Sequence, residues 1–225
     1  ETMRIGIVTT WFERGASYVS KAYMNALEKS NSVYIYARGG KQADKFDSVW
    51  NKTNVTWANE RHLGIPTLIN WNDFKKWIDR NKLEIIIFNE QHSWDVILKL
   101  QNFPILLGAY IDYYTSTTVE FFKLYDFLLC NTKRHYSVFK DFPQSYYIPW
   151  GTDIETFKPD HKPNDNIVFF HSCGFSPYRK GTDLVIKAFS GIDNNNISLI
   201  IHTQKKLEDE ITIPEVIKND HRIQI

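Results

Sequence analysis

Two adjacent cations at the mouth of a helix give the first sign of chemistry. In the segment FFHSCGFSPYRKGTDLVIKAF (169–189) an apolar run is followed by small residues, then Arg179, Lys180 and Gly181, then an amphipathic run from about residue 182. A helix N-terminus presents unpaired N–H groups and a partial positive charge. Gly181 lets a ligand approach the backbone closely. Arg179 offers a planar fork for phosphate oxygens and Lys180 a mobile point charge. The combination suits a phosphate or diphosphate, and equally a solvated basic turn. Glu90 and His92, in FNEQHSWD, can bind hydroxyls or move protons, or serve as an ordinary hydrogen-bonded loop pair. Asp112, amid Tyr110, Tyr113 and Tyr114, is a further candidate, though a lone Asp in such a loop is often a helix cap or turn residue. Gly15 and Ala16, in TTWFERGASYVSK, permit a tight turn and close ligand approach where the first strand hands over to a helix.

The elements that must position these groups alternate. Apolar strand-length runs (MRIGIVTT, SVYIYA, LEIIIF, PILLGAY, DFLLCN, SYYIP) are separated by helical patterns, with NVTW as a further short strand. One pattern places Val19, Ala22, Tyr23, Ala26 and Leu27 on a single face; another, in NWNDFKKWIDRNK, places Trp71, Phe74, Trp77 and Ile78 together. Strands that are apolar throughout imply a parallel sheet covered on both faces. The expected fold is α/β, a Rossmann-like doubly wound parallel sheet over residues 3–148, with ligands at the carboxyl ends of its strands. A Pro-rich polar stretch, 149–166, reads as a linker. The strand–helix rhythm restarts at 167–225 as the beginning of a second Rossmann-like domain.

Composition narrows the function. A formal net charge of +1 argues against a nucleic-acid partner, so anion binding must be local. Aromatic residues make up 15%, enough for a large core and for surfaces that stack on sugars. The two cysteines, Cys130 and Cys173, lack zinc-ligand spacing and suit a reducing compartment. No GxGxxG fingerprint or Walker sequence occurs, and ARGGK (37–41) supplies neither. No secretory leader or membrane-spanning run is visible, so a cytoplasmic protein is expected, with peripheral membrane association as the alternative.

Three segments carry a family resemblance. IPWGTDIETFKP is similar to the interdomain signature I-P-N-G-V-D-x-x-x-F-x-P of GT-B-fold retaining glycosyltransferases, the family 4 or group 1 type. Ile148, Pro149, Gly151, Asp153, Phe157 and Pro159 match, whereas Trp150 and Thr152 depart. GFSPYRKGTDLVIKAF resembles the phosphate loop of the same enzymes, its K-G-x-D-x-x-I-x-A-F core falling on Lys180, Gly181, Asp183, Ile186, Ala188 and Phe189. YDFLLCNTKRHYSVFKDF sits where that family has a strand and helix ahead of the signature.

The resemblance implies a transferase that takes a nucleotide-sugar donor and an acceptor that is a carbohydrate, a lipid-linked molecule or a protein. It implies no metal and no cofactor, the nucleotide-sugar being a substrate. Lys180 would contact the donor diphosphate. The family's upstream arginine falls on Phe175, so that role passes to Arg179. Gly15 and Ala16 would lie beneath the diphosphate. The family's histidine before an aspartate falls on Ile111, which leaves Asp112 without it and makes His92 the substitute. The family's E-x7-E motif is not found: Glu208, Asp209, Glu210 and Glu215 lack that spacing and read as a polar connection between strands. The chain is accordingly expected to stop within the second domain, to be inactive by itself, and to self-associate through uncovered apolar surface. A non-hydrolysing nucleotide-sugar epimerase of the same fold and a catalytically silent nucleotide-sugar-binding or partner subunit are the alternatives.

Overall fold

The computed structural model describes residues 2–38, 45–59, 67–159, 166–214 and 218–225. Gly39, Gly40 and Lys41 of the ARGGK segment, residues 160–165 of the expected linker, and Glu215 lie outside the described residues. The chain divides into two compact units, Glu1–Thr152 and Asp153–Ile225.

The first unit is an α/β domain built on seven parallel strands. In chain order these are β1 (Arg4–Thr9), β2 (Ser32–Ala37), β3 (Val55–Trp57), β4 (Ile85–Asn89), β5 (Leu106–Tyr110), β6 (Phe127–Cys130) and β7 (Ser145–Tyr147), arranged 3-2-1-4-5-6-7. This is the doubly wound Rossmann-like order. Its helices are α1 (Gly15–Leu27), α2 (Trp71–Asn81), α3 (Asp95–Leu100) and α4 (Lys133–Phe139), with a 3-10 turn at Val119–Leu124.

The apolar strands bury because both sheet faces are covered. Ile86, Phe88, Leu107, Ala109 and Leu128 join Phe74, Trp77 and Ile78 of α2 in one core; Ile5, Ile87, Tyr110 and Leu129 meet Val19, Tyr23 and Leu27 of α1 on the other side. The α2 face is the one expected from sequence, with Trp71 partly buried beside it. Asn70 caps α2 by accepting the Asp73 N–H at 3.1 Å, and Lys82 ends it in the left-handed conformation, φ 49°.

The α1 face differs from expectation. Ser17, Ser20 and Met24 are its buried residues, while Ala22 and Ala26 are exposed. The cause is polar. The Ser17 hydroxyl donates to the Thr10 carbonyl (2.9 Å) and that of Ser20 to Thr9 Oγ1 (2.8 Å), so the helix docks by hydrogen bonds at its first turns. Hydrophobic periodicity cannot register that contact.

The second unit has three parallel strands, β8 (Ile167–Gly174), β9 (Ile197–Thr203) and β10 (Ile223–Gln224), in the order β10-β9-β8, with helix α5 (Thr182–Ser190). Ile186 and Phe189 of α5 pack on Cys173, Leu199 and Ile201. The connection after β9 is less polar in effect than its composition suggests, because Leu207, Ile211 and Ile213 are buried in the same core. Strand β8 carries uncovered apolar surface: Ile167, Val168, Phe169 and Phe170 are exposed, Phe170 by 66%. Both cysteines are buried and free. Among the described residues no helix is long and apolar enough to cross a membrane.

Candidate functional site

A parallel sheet opens a crevice where its winding reverses, beyond the carboxyl ends of the strands. Here β1 pairs with β2 on one side and β4 on the other, so the crevice lies between the loops that follow β1 and β4. Gly15 and Ala16 begin the helix after β1, and Glu90 follows β4 directly.

Asn89, the last residue of β4, ties the two loops together. It is buried, and its amide donates to the Ala16 carbonyl and to Ser20 Oγ, both at 2.9 Å. Its carbonyl oxygen Oδ1 is buried with no partner. Beneath it runs Arg38, a charged side chain only 1% exposed. One guanidinium nitrogen donates to the Asn89 carbonyl and also to the Glu90 carbonyl at 2.7 Å. Burial pulls Arg38 down to about 10, opposed by Glu90 and Asp112, so it stays charged at neutral pH.

Glu90 is held in an uncommon backbone conformation, φ 56°, a region costly for a residue with a side chain. The Arg38 contacts to its own and the preceding carbonyl hold that shape. Burial raises the Glu90 carboxyl above its ordinary value; Arg14 opposes the shift and Asp112 adds to it. Arg14 reaches Glu90 Oε1 at 3.0 Å from the residue that caps α1.

Glu90 and Asp112 line one cleft of about 250 Å³ together with Ala16, Asn89, Tyr110 and His135. His92 is placed differently. Its Nε2 lies 3.8 Å from Asp112 Oδ2 and its ring 5.2 Å from that of Tyr113, but it is exposed and not among the cleft-lining residues. Ile111, where the resembled family has histidine, is fully buried in the core. The histidine that lines the cleft is His135, from α4. Gly15 sits at the helix start with open space where a Cβ would be, so its value here is room rather than a special backbone angle.

Sequence reading missed Arg14, Arg38, Asn89, Tyr110, Asn131 and His135 as site residues. For two of them a signal existed: Asn89 ends IIIFN and Asn131 follows FLLC, polar side chains closing apolar strands at the carboxyl edge.

In the second unit, Arg179 and Lys180 are exposed at the start of α5. Gly181 has φ 68°, a conformation that favours glycine. The N–H groups of Lys180, Gly181 and Thr182 bond to the Ser176, Tyr178 and Pro177 carbonyls. An anion here would therefore meet the two cationic side chains and the N–H groups further into the first turn. Thr182 Oγ1 pairs with His171 Nε2 at 2.9 Å, pinning the helix start to β8. Among the described residues no group of three or more His, Cys, Asp or Glu could hold a metal ion.

No protein-family model matches this sequence, and no curated protein matches it in sequence. Solved structures do. A glycosyltransferase from Rickettsia africae aligns with a TM-score of 0.68 at 13% identity, over 100% of this chain and 68% of its own. Anabaena HepE, in complex with UDP and glucose, aligns at 0.67 and 14% identity, again over 100% and 68%. UDP-N-acetylglucosamine 2-epimerase from Rickettsia bellii aligns at 0.62 and 11%, over 100% and 68%. The chain shares their fold. The likeness extends through both units, including β8 to β10.

Proposed function

We propose that this chain is part of a glycosyltransferase that moves a sugar from a nucleotide-sugar donor to a hydroxyl-bearing acceptor, with retention. The observation that carries the reading is the cleft at the β1/β4 switch point, where Glu90 and Asp112 sit together. Support for the donor class comes from the fold shared with a protein crystallised with UDP and glucose. Support for retention comes from the IPWGTDIETFKP resemblance.

In this reading Glu90 and Asp112 bind and polarise the acceptor hydroxyl. The Glu90 carboxyl, raised by burial, can hold a proton closer to neutral pH than an ordinary carboxyl. His92 acts through Asp112 rather than on substrate. Within the second unit, Arg179 and Lys180, with the N–H groups of the first turn of α5, are the groups that would hold a diphosphate's negative charge. Gly15 and Ala16 leave room beside the reacting centre.

The epimerase is a second reading, favoured by the match to the Rickettsia bellii enzyme. Product analysis separates the two. The longest natural form of the protein is incubated with UDP-glucose, UDP-N-acetylglucosamine and GDP-mannose, and products are identified by mass spectrometry and chromatography. Transfer predicts nucleoside diphosphate release with a new glycoside or free sugar. An isomerised nucleotide-sugar, with nothing released, would assign the epimerase. Binding without turnover would assign the silent subunit and overturn the transferase.

A further inference from the structure

The cleft has an uneven hydrogen-bond character. The buried Asn89 Oδ1 has no partner, and Glu90 and Asp112 supply carboxylate oxygens. Asn89 spends its amide on Ala16 and Ser20 and one Arg14 N–H goes to Glu90, while the Tyr110 hydroxyl, which accepts from Asn131, keeps its own hydrogen. Such a lining asks for a ligand rich in donors.

His135 determines how far this goes. Asn131 donates its amide N–H to the Tyr110 hydroxyl at 2.6 Å. Its carbonyl Oδ1 therefore faces His135 Nδ1, at 2.7 Å. A carbonyl oxygen only accepts, so Nδ1 must carry the hydrogen. In a neutral imidazole the proton is then absent from Nε2, which becomes an acceptor. Among the described residues Nε2 has no hydrogen-bond partner. Thr132 caps α4 by accepting the His135 N–H at 3.0 Å, and the Tyr114 ring stands edge-on at 5.8 Å, so the ring is supported on its helix.

We propose that His135 is held as a neutral Nδ1–H imidazole whose Nε2 accepts a hydrogen bond from a hydroxyl of a polyol acceptor bound in this cleft. The proposal rests on the transferase reading for the identity of that hydroxyl. Asp112, Glu90, Tyr110, Tyr114 and Arg134 are the charged or titratable groups around it. Burial lowers the His135 pKa, Arg134 lowers it further, and Asp112 pulls it back up. Tyr110 is pushed up to about 12 by burial and stays neutral.

The tautomer is the decisive reading. An Asn131 amide turned the other way would present its NH₂ to the ring and require the opposite tautomer. The chain is labelled with ¹⁵N-histidine, and two-bond proton–nitrogen spectra are recorded against pH for the native protein and for Asn131→Leu. His135→Gln assigns the signal. We expect the Nδ1–H form in the native protein, charging only below the ordinary histidine value of about 6.5, and a shift toward the Nε2–H form in Asn131→Leu. A native Nε2–H form, or a His135 already charged at neutral pH, overturns the proposal. Nucleoside diphosphate release by the longest natural form of the protein is then followed against pH, with UDP-glucose, UDP-N-acetylglucosamine and GDP-mannose as donors. Its acid limb should contain a step that coincides with the His135 titration and is lost in His135→Gln, leaving only the limb set by the carboxyls; a step at the His135 titration that persists in that variant also overturns the proposal. Absence of release in the native protein would instead sink the transferase reading and with it the hydroxyl, while the spectra still decide the state of the ring.

Discussion

Replacing Glu90 by glycine and by alanine should reverse the usual order of stability. Both variants lose the carboxylate and its contact with Arg14, so their difference isolates the backbone. At φ 56° a residue with a side chain is strained by about 1–2 kcal/mol. Glycine escapes that strain but gives the unfolded chain extra freedom, worth about 0.4–1 kcal/mol. The balance favours the Gly variant by about 0.8 kcal/mol at the centre of these ranges, whereas at an ordinary position alanine wins. The assay is urea unfolding followed by tryptophan fluorescence. All seven tryptophans lie in the first unit, so the signal reports the domain that contains Glu90. An Ala variant as stable as the Gly variant, or more so, would refute the claim that the chain holds Glu90 in a costly conformation to aim its carboxylate. Strain of this kind persists only when the surroundings enforce it, and Arg38 is the enforcing group.

Arg38→Met should lower the stability of the first unit by about 1–3 kcal/mol in the same assay, because it leaves the buried Asn89 and Glu90 carbonyls without their donor. Glu90→Gln should flatten one limb of the pH–stability curve. The folded carboxyl titrates above its unfolded value of about 4.3, so its contribution is complete below that pH and is lost as pH rises through the raised value. Native protein minus variant, measured by urea melts across that window, should show the loss. Lys180→Ala should weaken UDP binding about 10–100-fold by calorimetry, the equivalent of about 1.5–3 kcal/mol for a charged hydrogen bond; the exposed position predicts an intact fold by circular dichroism.

Much of the architecture was legible because the first sheet is covered on both faces. Runs such as LEIIIF and PILLGAY can bury only in such a sheet, and they became β4 and β5. The start of α5 was legible from Gly181, whose backbone angle needs glycine. What escaped shares a physical cause: it is held by hydrogen bonds rather than apolar contact. The buried face of α1 begins at Ser17 and Ser20, which periodicity counts as polar. Arg38 follows the end of β2, in a segment whose glycines draw attention instead. Strand β8 looks apolar enough to be buried, yet sequence cannot say whether both of its faces are covered, and Phe170 is not. The candidate site was half legible. The rule that ligands gather at strand carboxyl ends located Glu90 and Asp112. It could not rank His92 against His135, because a separation of 43 positions along the chain says nothing about which imidazole a fold brings to one cleft. That answer needed the register of β5 against β6 and the cap at Thr132, which carry Asn131 and His135 to Tyr110.

The central claim is that sugar transfer occurs in the cleft beyond β1 and β4, and steady-state kinetics of nucleoside diphosphate release test it most directly. Native protein, Glu90→Gln and Asp112→Asn are compared on whichever nucleotide-sugar the native protein turns over. The account predicts that kcat falls roughly 10²–10⁴-fold in one or both variants, the range for losing a group that moves a proton in the transition state. The KM for the donor should change little, because the proposed function assigns the diphosphate to Arg179 and Lys180. Native kcat in both variants would contradict the account and place the chemistry elsewhere.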